Sequence, residues 1–178
     1  LNWFPNASRQ TGTLNVGETQ ERSMSQRLTG GCQCGAIRYA TSGPVIDRAI
    51  CHCRMCQKAV GSVVWPFFTV DAADLEWTRG RPALYRSSEA AERGFCAACG
   101  TPISFQPLGK KVIDLSIGTL DEPAEIVPDK QYFAGQRMPW FEHLFTLPEQ
   151  ASSASPEEIE RRRPYQHPDH DTSEWPRP

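Results

Sequence analysis

The chain has 178 residues, of which 39% are hydrophobic and 22% charged, and 19 Lys+Arg against 21 Asp+Glu leave a net charge of −2. That balance is ordinary for a globular domain and excludes a fibre, a membrane bundle and a wholly disordered chain. It also disfavours an electrostatically driven binder of nucleic acid or anionic membrane, while the length suits one domain with appendages.

Residues 1–27 are polar and aperiodic, and the spacing predicts a disordered N-terminal extension or expression remnant, with Met24 as a candidate native start. No run of 18 apolar residues and no basic stretch leading into an apolar one occurs, so neither a spanning helix nor a secretory signal is expected. The expectation is a soluble, cytoplasmic protein.

From Leu28 onward, short β-branched and aromatic runs predict strands over Ala36–Thr41, Val63–Val70, Leu84–Ser87, Ile103–Phe105 and Val112–Ile117. Gly43-Pro44, Gly80-Arg81-Pro82, Thr101-Pro102 and Gly109 separate them. Short helices are expected only around Ala59-Val60 and near Glu89, so the fold class is mainly β, of antiparallel sheets. Trp65, Phe67, Phe68, Trp140 and Phe141 are expected in the core rather than in a groove.

Beyond Glu122 lie nine of the 15 prolines, and this part reads as loop. Gln131–Phe145 still carries enough aromatic area to pack back on the sheets. Ser155-Pro156-Glu157-Glu158 has the form of a capping box with Pro at the first helical position, which predicts a helix to about Arg163. The expected division is therefore a domain over 28–150, followed by a short helix and Pro-rich tail over 151–178. His167-Pro168-Asp169-His170-Asp171 falls in that tail, where such residues are ordinarily solvated.

The seven cysteines read Cys32-x-Cys34, Cys51-x-Cys53-x-x-Cys56 and Cys96-x-x-Cys99. An odd number so tightly grouped points to metal, and to zinc in particular, rather than to disulfides. Gly35 and Gly100 follow Cys34 and Cys99 and supply the backbone freedom that a metal knuckle requires. Two such knuckles make one closed structural zinc site from Cys32, Cys34, Cys96 and Cys99.

Cys51, Cys53 and Cys56 remain as three ligands of a second zinc, whose open position could take water or a substrate thiol and so be catalytic. Two other readings stay open: a structural site with His52 or a distant residue as fourth ligand, or stray thiols. In an extended segment His52 points away from its neighbours and suits an outer-sphere donor. Arg48, Arg54 and Lys58 could offset the negative charge of three thiolates. Arg54 and Lys58 are candidate substrate contacts, although solvated charges are the simpler reading of both.

Gly31-Cys32-Gln33-Cys34-Gly35-Ala36-Ile37-Arg38-Tyr39, Cys51-His52-Cys53-Arg54-Met55-Cys56 and Arg93-Gly94-Phe95-Cys96-Ala97-Ala98-Cys99-Gly100-Thr101 resemble the glutathione-dependent formaldehyde-activating enzyme (GFA) family, also called the centromere protein V family. Gly118-Thr119-Leu120-Asp121-Glu122-Pro123 and Pro139-Trp140-Phe141 extend the resemblance over about Leu28 to Pro148. It implies a β-tent fold, a structural zinc on the four-cysteine set and a second zinc on the three-cysteine set. It further implies a carbon-sulfur lyase that interconverts glutathione and formaldehyde with S-(hydroxymethyl)glutathione, so the expected partners are a glutathione-like thiol and an aldehyde, with no nucleic acid and no membrane. The alternative is a non-catalytic, zinc-stabilised protein-interaction module.

Overall fold

The computed structural model describes residues 27–151, 153–162 and 164–175, so the expected N-terminal extension lies, up to residue 26, outside the described residues. Within them the chain forms strands β1 (Leu28–Gly31), β2 (Arg38–Thr41), β3 (Asp47–Cys51), β4 (Trp65–Asp71), β5 (Leu75–Arg79), β6 (Ala83–Ser88), β7 (Ala91–Phe95), β8 (Pro102–Pro107), β9 (Val112–Ser116) and β10 (Lys130–Tyr132). Two α-helices, α1 (Arg54–Val60) and α2 (Pro156–Arg161), and several 3-10 turns complete the described chain. None of these helices is long and apolar enough to cross a membrane.

The strands make a three-stranded sheet in the order β1-β2-β5 and a seven-stranded sheet in the order β10-β3-β4-β9-β8-β7-β6. Every pairing is antiparallel except β10, which runs parallel to β3. The mainly β expectation therefore holds, with one parallel edge.

Strand β4 organises the molecule because both of its faces are buried. Phe68 and Val70 join Leu28, Ile37 and Tyr39 of the small-sheet side, together with Ile103, Ile113 and Leu115, in the main core. Trp65 and Phe67 alternate to the opposite face and pack with Ala49, Cys51 and Cys56 in a second cluster. Alternation along one strand thus separates two cores, and the continuous apolar run that predicted a strand here is continuous because neither face meets water. Phe68 is fully buried, which contributes about 2–3 kcal/mol to the fold.

Several sequence expectations need correction. The segment near Glu89 is the tight connection of the β6–β7 hairpin, where Ser88 pairs with Ala91 and leaves no room for a helix. Trp140 is exposed rather than core, as are Phe133 and Phe145. Residues 134–146 run largely as 3-10 turns after β10, an edge strand of the sheet. Only Tyr132, stacked on Phe67 at 6.0 Å, and Phe141, edge-on to His52 at 5.3 Å, carry out the expected packing.

Helix α2 begins as expected, with Ser155 and Glu158 forming a reciprocal capping box. In the stretch after it Asp169, His170 and Asp171 are exposed as expected, and the expectation fails at His167. His167 is only 4% exposed, its N–H donates to the Gln33 carbonyl at 2.7 Å, and Asp171 accepts from Arg38 Nε at 3.0 Å. These residues form a strap along the first cysteine knuckle, because a buried arginine in β2 needs more carboxylate than its own sheet provides.

Candidate metal centres and an adjoining cavity

The structure brings the sulfurs of Cys32, Cys34, Cys96 and Cys99 within 4.8 Å of one another, and separately those of Cys51, Cys53 and Cys56. All seven cysteines are free thiols. In the first set the Cys32 and Cys34 sulfurs are 3.6 Å apart and those of Cys34 and Cys96 3.8 Å. A tetrahedral ion with metal–sulfur bonds of about 2.3 Å requires sulfurs roughly 3.8 Å apart. The donor set and its spacing therefore fit zinc.

Local chain geometry makes each knuckle. Gly35 and Gly100 have φ of 70° and 78°, the left-handed conformation expected after Cys34 and Cys99. Gly35 N–H donates to the Cys32 carbonyl and Gly100 N–H to the Cys96 carbonyl, closing the two turns at 3.0 and 2.8 Å. A Cβ on Gly35 would also collide with the His167 ring, so the strap packs where a side chain is missing.

The three-cysteine set is built differently. Cys51 ends β3, Cys53 precedes α1 and accepts from the Cys56 N–H at 3.3 Å, and Cys56 lies one turn into the helix. Gln136 reinforces this helix start: its side-chain oxygen accepts from the Arg54 N–H at 2.9 Å. Phe133, immediately before the turn that carries Gln136, adopts the left-handed region at φ 56°, which costs a non-glycine residue about 1 kcal/mol.

His52 is not among the converging ligand atoms. Its ring is fully buried, and its Nε2 lies 2.9 Å from the Gln131 side-chain oxygen, which also accepts from Arg137 Nη2 at 3.0 Å. The oxygen is an acceptor in both bonds, so Nε2 donates, and Nδ1 is buried without a partner among the described residues.

Ionisation differs within each cluster. Burial pushes the Cys32 and Cys51 thiols up to about 12 and also raises Cys34 and Cys56. Burial opposes ionisation of Cys99 too, yet the Thr101 hydroxyl and backbone donors bring it down to about 6. Cys53 is likewise lowered against its burial, by the Cys56 N–H and the Arg93 charge. Each cluster thus sets one thiol lowered by its neighbours beside thiols raised by burial, and a bound cation would favour the thiolate form of its ligands.

Arg93 is the residue the sequence reading missed, although it opens one of the quoted motifs. It lies on β7, is 8% exposed, and its Nη2 donates to the Cys56 sulfur at 3.3 Å. Its guanidinium lies over the rings of Phe105 at 4.8 Å and Trp65 at 5.6 Å. Arg93 also lines a cavity of about 510 Å³ whose wall includes Trp65, Lys58, Val60, Tyr85 and Ser104. That volume suits a small organic ligand.

The other cationic candidates separate. Lys58 is exposed on the cavity wall. Arg54 is exposed at the start of α1 and reaches the Gln57 side-chain oxygen at 3.3 Å, while Arg48 pairs with Asp129 at 3.1 Å.

Residues 27–136, more than half of the chain, match the model of the family described as glutathione-dependent formaldehyde-activating enzyme. Among solved structures, a protein of Rhodobacter sphaeroides is similar at 22% identity and a TM-score of 0.48, over 58% of this chain and 98% of its own.

Proposed function

Because the chain belongs to the glutathione-dependent formaldehyde-activating enzyme family, we propose that it is a zinc-dependent carbon-sulfur lyase acting on a small thiol adduct, of the S-(hydroxymethyl)glutathione synthase type. The observation that carries this reading is a three-sulfur donor set, one short of a tetrahedral shell, whose Cys56 is bonded to an arginine lining a ligand-sized cavity.

In this reading Cys32, Cys34, Cys96 and Cys99 hold a structural zinc, and Cys51, Cys53 and Cys56 hold a second one. A zinc ion in the second set supplies a position at which a substrate sulfur ionises near neutral pH. Arg93 offsets the charge accumulated on three cysteine thiolates, and Trp65 covers the cluster from the sheet side and limits water. Lys58 and Arg54 are the proposed substrate contacts, Lys58 from the cavity wall and Arg54 from the start of the helix.

The reaction balances without a further reagent. The thiolate sulfur attacks the formaldehyde carbon, a carbon–sulfur bond forms, the carbonyl π pair moves to oxygen, and the proton given up by the thiol ends on that oxygen. The reverse breaks the same bond. The test is exchange NMR on a mixture of glutathione and formaldehyde with and without zinc-loaded protein, since the uncatalysed reaction proceeds by itself. The expected result is acceleration that disappears in Cys53→Ser, whereas an unchanged rate at stoichiometric protein overturns the substrate pair.

The exposed Phe133, Trp140 and Phe145 favour a second reading, a zinc-stabilised module that binds a protein through this aromatic edge. Under that reading Cys53→Ser leaves the exchange rate unchanged because the wild-type chain does not accelerate it.

A further inference from the structure

The cavity beside the three-cysteine cluster has an unbalanced lining. Among the described residues Arg93 and Lys58 are its charged wall residues, and no Asp or Glu lines it. The remaining polar wall is neutral hydroxyl, from Tyr85, Ser87, Ser104 and Ser116. Two positive charges facing one concave, partly apolar space raise the local concentration of anions.

Arg93 is also incompletely partnered. Its Nη2 is engaged by the Cys56 sulfur, but its Nε is buried with no hydrogen-bond partner. Burying a guanidinium donor unpaired is costly, and no carboxylate among the described residues bonds it. The rings of Trp65 and Phe105 hold the planar group in one orientation. A planar cation fixed at the cavity wall, with bonding capacity left unused, matches a carboxylate better than it matches a neutral group. Simple stabilisation of Cys56 accounts for the Nη2 contact and leaves the Nε donor and the second cation unexplained.

We propose that this cavity takes a ligand bearing a carboxylate, that Arg93 receives it, and that this contact selects anionic thiols over neutral thiols at the three-cysteine cluster. The selection of thiols rests on the function proposed above; the carboxylate site does not. Arg93 is then a specificity-determining residue that touches both the substrate and the donor set that handles its sulfur.

The test is calorimetric titration of the zinc-saturated full chain with N-acetylcysteine, its uncharged amide and thiol-free N-acetylalanine. Wild-type protein is expected to bind N-acetylcysteine about tenfold more tightly than the amide, the order of a charge-assisted contact. Arg93→Gln should reduce that preference to near unity with metal content unchanged, and Lys58→Gln should lower it about twofold to threefold. Should the glutamine variant not fold, Arg93→Lys keeps the charge without the fork and is expected to retain only about a threefold preference. Equal binding of acid and amide by the wild type, or a preference that survives Arg93→Gln or is undiminished in Arg93→Lys, overturns the inference while leaving thiol binding intact. Arg93-dependent binding of N-acetylalanine with no added affinity from a thiol supports the carboxylate site and instead overturns the thiol reading.

Discussion

The two cysteine clusters occupy opposite faces of the same sheet and are maintained in opposite ways. The four-cysteine set lies in the main core, where its knuckles are closed by left-handed glycines and braced by the strap of Arg38, Asp121, His167 and Asp171. The three-cysteine set lies in the outer cluster, and its neighbourhood is full of incomplete interactions. Of four buried side-chain polar atoms without a partner among the described residues, three belong to His52, Arg93 and Arg137 around this set. One region has its polar groups matched and the other leaves several unmatched, which supports the proposed division into a fold-holding site and a working site.

The comparison is broken most directly at Cys99. Cys99→Ser removes a ligand from the braced cluster and is expected to cost on the order of 5 kcal/mol or more, enough to unfold the domain, because structural metal binding and folding are one event. Circular dichroism together with metal analysis checks this, and a folded variant that still binds two zinc ions contradicts the assignment.

Asp121 tests the brace itself. Its two oxygens accept from Arg38 Nη1 at 2.7 Å and Nη2 at 2.5 Å, with both side chains buried. Asp121→Asn leaves Arg38 with only the half-exposed Asp171 and should cost about 3 kcal/mol in a urea titration. Burial opposes ionisation of Asp121, but Arg38 and Thr29 win and hold its carboxyl below the ordinary value of 3.8. The stability it contributes is therefore present above pH 3.8 and is lost as pH falls below that.

On the working face the sign reverses. Asp114 lies in register with Phe105 and Thr69, and burial raises its carboxyl to about 6 despite the Thr69 hydroxyl bond. Ionising it costs stability fully above pH 6, and the cost vanishes below 3.8. Asp114→Asn should thus stabilise the protein at pH 8 by about 1–2 kcal/mol, with no difference left at pH 3.5 in matched thermal melts. The smallest effect on stability is expected from Cys53→Ser, within about 1 kcal/mol, with the second metal and the exchange activity both lost. Equal destabilisation by Cys53→Ser and Cys99→Ser would erase the difference between the two regions.

Much of this was legible in the residues because cysteine spacing and knuckle glycines are local signals. The grouping of ligands, helix α1 and the capping box of α2 follow from neighbours within a few positions. Strands β3, β5 and β7 escaped notice because charged residues such as Asp47, Glu76 and Glu92 interrupt their apolar pattern, and β1 and β10 because they are only four and three residues long. Arg93 itself looks like a surface cation until pairing with Phe105 sets it over two rings and beside Cys56. The docking of His167 and Asp171 depends on a buried arginine 133 residues from Asp171, which no local pattern reveals. Trp140 and Phe145 show the converse, since aromatic character invites burial but among the described residues they remain exposed after the edge strand β10.

Cys34 and Cys96 touch across 62 positions, whereas Cys51, Cys53 and Cys56 span a single turn of chain. During synthesis the triad emerges complete and could capture an ion before the seven-stranded sheet exists, while the other set must wait until both knuckles are made and their loop has closed. An ion already bound by the unfolded triad adds little to the folding equilibrium, and an ion that only the finished fold can bind adds its full weight. With the two zinc ions proposed above, the order of filling follows from the separation of the ligands along the chain, and limited metal supply during expression is expected to give a folding failure traceable to the later site.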